Sequence, residues 1–115
     1  MMEMLRLYRN AKGEFGQRLA RFYGEGIHRA VLYGAGETAL LVISAARDIG
    51  LEIVGIVDSD PQRQGDKLAG RTVDSPSQIE EMHPNGIIIT SLAHRDEIYK
   101  SISHLEGDGI KIRQF

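Results

Sequence analysis

The stretch Ala30-Val31-Leu32-Tyr33-Gly34-Ala35-Gly36-Glu37-Thr38-Ala39, followed by Val54-Gly55-Ile56-Val57-Asp58, decides how this chain folds. It reads as a β-strand, a glycine turn, a helix and a second strand that ends in an acid. That is the order and spacing of a dinucleotide-binding fingerprint, G-x-G-x-x-G/A with an acid about 20 residues on. Gly34 allows the tight turn out of the strand, and Gly36 brings no Cβ between an incoming phosphate and the backbone. Ala39 is small enough for the helix to pack close on the sheet. The helix N-terminus offers unpaired N–H groups and the positive end of a dipole to an anion. Asp58 stands where a carboxylate accepts hydrogen bonds from ribose hydroxyls.

The rest of the chain continues this alternation. The first strand is Arg29–Tyr33, the helix is Glu37–Ile49 with Gly50 as its stop, and the second strand is Glu52–Val57. Ile53, Val54, Ile56 and Val57 suit a sheet covered on both faces. A polar loop runs from Asp58 to Arg71, and Arg71–Val73 reads as a short third strand. Ser75-Pro76-Ser77 opens a helix through Met82, with proline at an early helical position. Pro84-Asn85-Gly86 turns the chain into a fourth strand, Gly86–Ser91. Arg95–Leu105 is an amphipathic helix, and Ile110–Arg113 is the last strand. Strands alternating with helices in this way imply an α/β fold with right-handed crossovers. The expected architecture is a Rossmann-like three-layer parallel sheet, five strands in the order 3-2-1-4-5.

Ahead of the fingerprint, Met2–Tyr23 reads as an additional helix. Met4, Tyr8, Ala11, Phe15, Leu19 and Phe22 form an apolar stripe, with Arg6, Lys12, Arg18 and Arg21 off it. Gly13 and Gly16 each weaken this helix by roughly 1 kcal/mol relative to alanine, which admits a break there. The organisation is then an N-terminal helix over residues 1–25 and a Rossmann-like nucleotide-binding domain over 26–115. The stripe either covers the sheet's own helices or pairs with a second copy across a two-fold axis; because the Rossmann unit has its own helices for both faces, the expectation is the homodimer.

A chain of 115 residues is long enough to bury one real core. Its formal charge of −2, without a dense Lys/Arg cluster, gives no reason to expect nucleic acid. The absence of cysteine excludes a disulfide framework, a thiolate nucleophile and a cysteine-based metal site. His28, His83, His94 and His104 are scattered, with no i, i+4 pair to hold a metal. No apolar run approaches the roughly 20 residues of a membrane span. Met1-Met2-Glu3-Met4 lacks the layout of a signal peptide. The expectation is a cytoplasmic protein with no membrane span, no nucleic-acid partner and no metal.

In an open parallel sheet, ligands bind beyond the carboxyl ends of the strands where the strand order reverses. Here that point lies between the first and fourth strands. The cofactor-binding candidates are Gly34, Ala35, Gly36 and Glu37 from the turn, Asp58 and Ser59 from the second strand, and Ser91 and Arg95 beyond the fourth. Glu37 either sits beside the anion site or points outward and favours the helix dipole. Asp58 either accepts ribose hydroxyls, favouring a 2′-hydroxyl over a 2′-phosphate, or serves the turn that Asp58-Ser59-Asp60-Pro61 suggests. Arg95 either pairs with a phosphate or carboxylate, or belongs with His94 to a solvated helix start. Ser91 has no G-x-S-x-G elbow around it. No constellation carries catalysis, so the set of catalytic residues is empty.

Beyond the glycine turn, Val57-Asp58-Ser59-Asp60-Pro61, Gln64-Gly65, Gly70-Arg71-Thr72-Val73 and Ile88-Ile89-Thr90-Ser91 through Ile98-Tyr99 carry a resemblance. Together they resemble a small Rossmann-like domain of bacterial surface-polysaccharide and nucleotide-sugar enzymes. Similar domains form the N-terminal part of capsule-type dehydratases and epimerases and of sialic-acid-type sugar acyltransferases, and the C-terminal domain of sugar C-methyltransferases. The resemblance runs from about Gly26 to Phe115. It implies a nucleotide- or nucleotide-sugar-binding accessory domain that works with a separate or fused catalytic domain. The chain departs from those enzymes in carrying no acyltransferase repeat and no Tyr-x-x-x-Lys pair, since Tyr99 and Lys100 are adjacent.

The functional expectation is a non-catalytic module that binds NAD or another nucleotide in sugar-nucleotide or surface-polysaccharide biosynthesis, with no activity on its own. One rival is an interaction or dimerisation domain whose Rossmann site is vacant. The other is a small NAD-dependent oxidoreductase or epimerase fragment, for which only His94 is suitably placed as an acid or base.

Overall fold

The computed structural model describes residues 2–115, with side chains from Gly13 onward. The elements are α1 (Met2–Gly24), β1 (Arg29–Tyr33), α2 (Glu37–Ile49), β2 (Glu52–Val57), β3 (Lys67–Leu68), β4 (Arg71–Asp74), β5 (Gly86–Ile89), α3 (Arg95–Ile102) and β6 (Lys111–Gln114). They form one sheet in the order β3-β4-β2-β1-β5-β6. Every neighbouring pair is parallel except β3–β4, which is antiparallel. The five expected strands are β4-β2-β1-β5-β6, in the expected order, and β3 is an addition at the edge. Its two residues are too few to show a strand period. A two-residue turn makes the hairpin, with Ala69 and Gly70 both at positive φ, 51° and 78°, the signature of a type I′ connection.

The sheet separates two cores. On one face α2 lays Ala39, Val42, Ala45 and Ala46 against Leu32, Ile53, Ile56 and Ile88. On the other, α3, the stretch that follows it and the segment before β5 cover Val31, Tyr33, Val57, Ile87 and Ile89 with Ile79, Ile98, Ile102 and Leu105. Strict alternation along β2 would not sort its side chains this way. The register slips between Ala30 and Val31, which pair with Ile53 and Gly55, leaving Val54 as the extra residue of a bulge. Val54 joins the α3 face, and Gly55 leaves room there for Met82, whose Sδ would stand 2.3 Å from a Cβ on residue 55.

The N-terminal helix does not stand apart from this unit. α1 runs unbroken through Gly13 and Gly16, and its second half buries Leu19 and Phe22 in the α2-side core. Phe15 meets Phe115 edge to face at 4.7 Å, and Phe22 meets the same ring at 6.2 Å. Thus α1 shares one face of the sheet with α2 and reaches the end of β6. The premise that this helix is surplus to the sheet's own cover is therefore corrected for the described half. Met4, Tyr8 and Ala11 of the stripe lie outside the described side chains. Arg113 of β6 pairs with Glu25 at 3.0 Å, just after the helix end.

Two expected helices are shorter or tighter than their patterns suggested. Ser75–Met82 forms two successive 3₁₀ turns, Pro76–Gln78 and Glu80–Met82. Ser75 caps the first turn by accepting from the Ser77 N–H at 3.3 Å. The α-helix from Arg95 ends at Ile102 and tightens into a 3₁₀ stretch, Ser103–Asp108, stopped by Gly109 at φ 86°. The strand at Gly86 ends at Ile89 rather than Ser91, because Thr90 turns toward β1.

Candidate functional site

β1 and β5 stay paired to their carboxyl ends, Tyr33 opposite Ile89, and the glycine turn leaves β1 directly beside Thr90 and Ser91. Gly34 has φ 124°, and a Cβ there would stand 2.8 Å from both Ser91 N and Thr90 Oγ1. This position admits no side chain. The buried Thr90 hydroxyl donates toward the Gly34 carbonyl at 2.7 Å, with Tyr33 O at 3.1 Å, and Gly34 N donates to Val57 O at 2.8 Å. The turn is thus bonded to the strands on both sides of β1.

Gly36 is a different case. Its backbone is extended, φ −99° and ψ −164°, and it is the N-cap of α2 without any side-chain cap. A Cβ there would meet only Arg63 Nη1, at 4.0 Å. Neither dihedral angles nor crowding demand glycine at this position. What its hydrogen side chain leaves is clear access to the first-turn amides of α2, where an anion is attracted.

Ala35, between the two glycines, is held at both ends of its backbone. Its N–H donates to Asp58 Oδ2 at 2.9 Å, and its carbonyl accepts from Arg63 Nη1 at 2.8 Å. Asp58 Oδ1 accepts from the Asp60 N–H at 2.9 Å, and the Gln64 side chain donates to the Asp58 carbonyl at 2.9 Å. The loop after β2 is therefore wrapped over the glycine turn. Asp58 does the turn-making that Asp-Ser-Asp-Pro suggested, and each of its oxygens keeps a lone pair for a ligand hydroxyl.

Two adjoining lobes open here. The larger, about 630 Å³, is lined by the turn from Gly34 to Thr38, by Asp58, Ser59, Asp60 and Arg63, and by Thr90 to His94. The smaller, about 390 Å³, lies toward α3 and is lined by Tyr33, His94, Glu97, Ile98 and Ser101 together with Gly34, Asp58, Ser59 and Ser91. Both volumes fall in the range of small-molecule sites. Of the candidates, Gly34, Ala35, Gly36, Glu37, Asp58, Ser59 and Ser91 come together at the larger lobe. Arg95 does not line either lobe; its neighbour His94 lines both, 3.9 Å from Glu97. Arg63 was missed, because an arginine inside a polar loop carries no periodic signal. Among the described residues no group of His, Asp and Glu is arranged to hold a metal, and no helix is long and apolar enough to cross a membrane.

The fold and the cleft together define a Rossmann-like α/β domain with its crevice at the point where the strand order reverses. Residues 26–113 match the family described as C2185-like, N-terminal, and the chain belongs to that family. The redox-sensing transcriptional repressor Rex of Thermotoga petrophila is 33% identical over 119 residues, spanning 85% of this chain and 56% of that protein. The chain thus spans little more than half the length of this curated relative. A Rex-family repressor, RSP, is similar in structure with a TM-score of 0.64 and 20% identity, over 86% of this chain and 50% of the other. RSP in complex with beta-NADH gives 0.63 at 20% identity, over 86% of this chain and 51% of the other. UDP-D-quinovosamine 4-dehydrogenase from Vibrio fischeri gives 0.60 at 18% identity, over 76% of each chain. These structural likenesses establish the fold. Similarity to a transcriptional repressor leaves the expectation of no nucleic-acid partner without support.

Proposed function

We propose that this chain is a non-catalytic nucleotide-binding module, with a dinucleotide of the NAD type as the first candidate ligand and a nucleotide sugar as the second. The observation that carries the reading is Gly36. It is a glycine that neither backbone conformation nor packing requires, at the uncapped N-terminus of α2, at the mouth of a cleft of ligand size. Asp58 and Ser59 would meet ribose hydroxyls, Ser91 a second polar group, and the Gly34–Glu37 turn the phosphates. The Rex relative is named as redox-sensing, and RSP was solved with beta-NADH, which supports trying NADH first. The resemblance to nucleotide-sugar enzymes supports a role in sugar-nucleotide or surface-polysaccharide metabolism, in the cytoplasm, beside a catalytic partner. A homodimer belongs to the same proposal, and since Phe15, Leu19 and Phe22 pack within this chain, its seam would have to use the stripe ahead of Gly13; sedimentation as a monomer at micromolar concentration would remove it.

Titration calorimetry with NAD, NADH, a UDP-sugar and coenzyme A tests the reading. The expected result is saturable heat with at least one of them, lost in Gly36→Ser at an unchanged melting temperature. No heat and no thermal shift with any of the four overturns it.

A second reading, a small NAD-dependent oxidoreductase or epimerase fragment, draws on His94, which lines both lobes and faces Glu97. It requires turnover that a His94→Ala substitution abolishes. Unchanged turnover in that variant, or none in the parent chain, removes it.

A further inference from the structure

We propose that Arg63 is the phosphate-reading side chain of this cleft, so that the ligand is selected through a diphosphate group. The proposal rests on the nucleotide reading above and adds the residue and the chemistry that choose the ligand. Arg63 Nη1 donates to the Ala35 carbonyl at 2.8 Å and lies 4.0 Å from where a Cβ on Gly36 would stand. The guanidinium is therefore beside the opening that Gly36 leaves. A guanidinium carries five N–H donors in a planar fork, and one such donor is spent on Ala35. Among the described residues no carboxylate lies within ion-pair distance of it. Its charge and its other donors are available to an incoming oxyanion, in the geometry that grips a phosphoryl group with two parallel bonds.

The side chain is mounted on an ordered loop. Arg63 N donates to Asp60 O at 3.0 Å, Asp66 N donates to Arg63 O at 3.1 Å, and Gly65 N donates to Val73 O at 2.8 Å. The electrostatic surroundings make its role selective. Glu37, Asp58 and Asp60 line the same lobe, and Arg63 is the one arginine or lysine among the lining residues. Without it the lobe is acidic and repels an anion. With it, two anion-attracting groups stand side by side, the α2 N-terminus and the guanidinium. That pairing suits the adjacent phosphoryl groups of a diphosphate better than a lone carboxylate.

Calorimetry on the full chain with NADH, ADP and adenosine separates this claim from its parent. In the unsubstituted chain ADP and NADH are expected to bind at least tenfold more tightly than adenosine. Arg63→Gln is expected to weaken both by tenfold or more, a span typical of charge-assisted hydrogen bonds, while leaving adenosine unchanged. Arg63→Lys keeps the charge without the fork and should fall between. Arg63→Gln binding ADP as tightly as the parent overturns the proposal. An equal loss for ADP and adenosine also overturns it, since Arg63 would then act through the shape of the turn. ADP and adenosine binding equally well to the unsubstituted chain rejects the phosphate selection but leaves the nucleotide reading standing. Failure of all three ligands overturns the proposal, and the nucleotide reading falls with it if the UDP-sugar and coenzyme A fail as well.

Discussion

Asp58 Oδ2 accepts a hydrogen bond from the Ala35 N–H at 2.9 Å, joining the end of β2 to the turn after β1 across 23 residues of sequence. Ala35 is only 8% exposed, so water is a poor replacement for this acceptor. Asp58→Ala leaves the Ala35 amide without its acceptor, while the exposed Asp60 amide passes to water. A stability loss of roughly 1–3 kcal/mol is expected on the usual cost of an unmet buried donor. Asp58→Asn retains one acceptor oxygen and should lose less. Urea unfolding of the two variants checks the order; a change below about 0.5 kcal/mol in Asp58→Ala, within the range of neutral surface substitutions, would show that the latch holds nothing.

The two glycines of the turn should respond oppositely to a side chain. Gly34→Ala combines a positive φ with a Cβ 2.8 Å from Ser91 N and Thr90 Oγ1, and is expected to cost more than about 2 kcal/mol. Gly36→Ser has no such conflict and introduces a preferred helix N-cap residue. Its thermal melt should match or slightly exceed the parent while ligand binding is lost. Comparable destabilisation by both would mean that Gly36 is also there for the fold.

Asn85 ties the starts of β1 and β5 together. Its Oδ1 accepts from His28 N at 3.0 Å and Arg29 N at 2.9 Å, and its Nδ2 donates to Gly26 O at 2.7 Å. Asn85→Ala removes all of these, and at about 0.5–1.5 kcal/mol per bond the loss should reach roughly 2 kcal/mol or more. Asn85→Asp retains the acceptor and should recover part of it. Equal denaturation midpoints for parent and Asn85→Ala would contradict this account.

Ala69 occupies the left-handed region at φ 51°, followed by Gly70 at 78°. An alanine there is strained by about 1 kcal/mol, whereas Asn-Gly is the favoured pair in a type I′ turn. Ala69→Asn should raise stability by about 0.5–1 kcal/mol. A fall in the melting temperature would show that the hairpin geometry is set by something other than its turn.

Tyr99 donates to Glu106 Oε1 at 2.7 Å. That hydrogen bond, then the charge of Glu106, then a slight desolvation raise its pKa above the ordinary 10.0. Because the folded-state value is raised, this contact contributes stability that is fully present below about pH 10. It is lost as pH rises through the higher folded value. In a titration followed by tyrosinate absorbance, one tyrosine should ionise late, and Glu106→Gln should bring it back toward the ordinary value. An unchanged curve in that variant would remove the assignment.

The sheet order was readable in the sequence because local chemistry announces it. Alternation of apolar runs with helical stripes, a glycine turn after a strand and Gly50 as a stop are short-range signals, and β1, α2 and β2 fall on their expected residues. The bulge at Val54 was hidden, since it depends on which residue of β2 opposes Val31. So was the place of α1, because an apolar stripe does not say whether it meets the same chain or another.

At the site, the positions of Gly34, Gly36 and Asp58 followed from spacing alone, because a backbone turn and a strand end leave few places for them. The roles they take up depend on contacts across the fold. Gly34 is forced by Thr90 and Ser91, just beyond β5 and more than fifty residues away in the chain, 56 for the Thr90 hydroxyl bond to its carbonyl. Asp58 latches Ala35 before any ribose arrives, and Arg63 faces the opening at Gly36 only because its loop folds back over the turn. Local period and turn chemistry specify most of the secondary structure, β3 and the 3₁₀ turns excepted, and the right-handed crossover of alternating strands and helices leaves few strand orders open. Which side chains share a cleft is settled by packing and hydrogen bonds between distant segments, and those exist only once the chain has closed on itself.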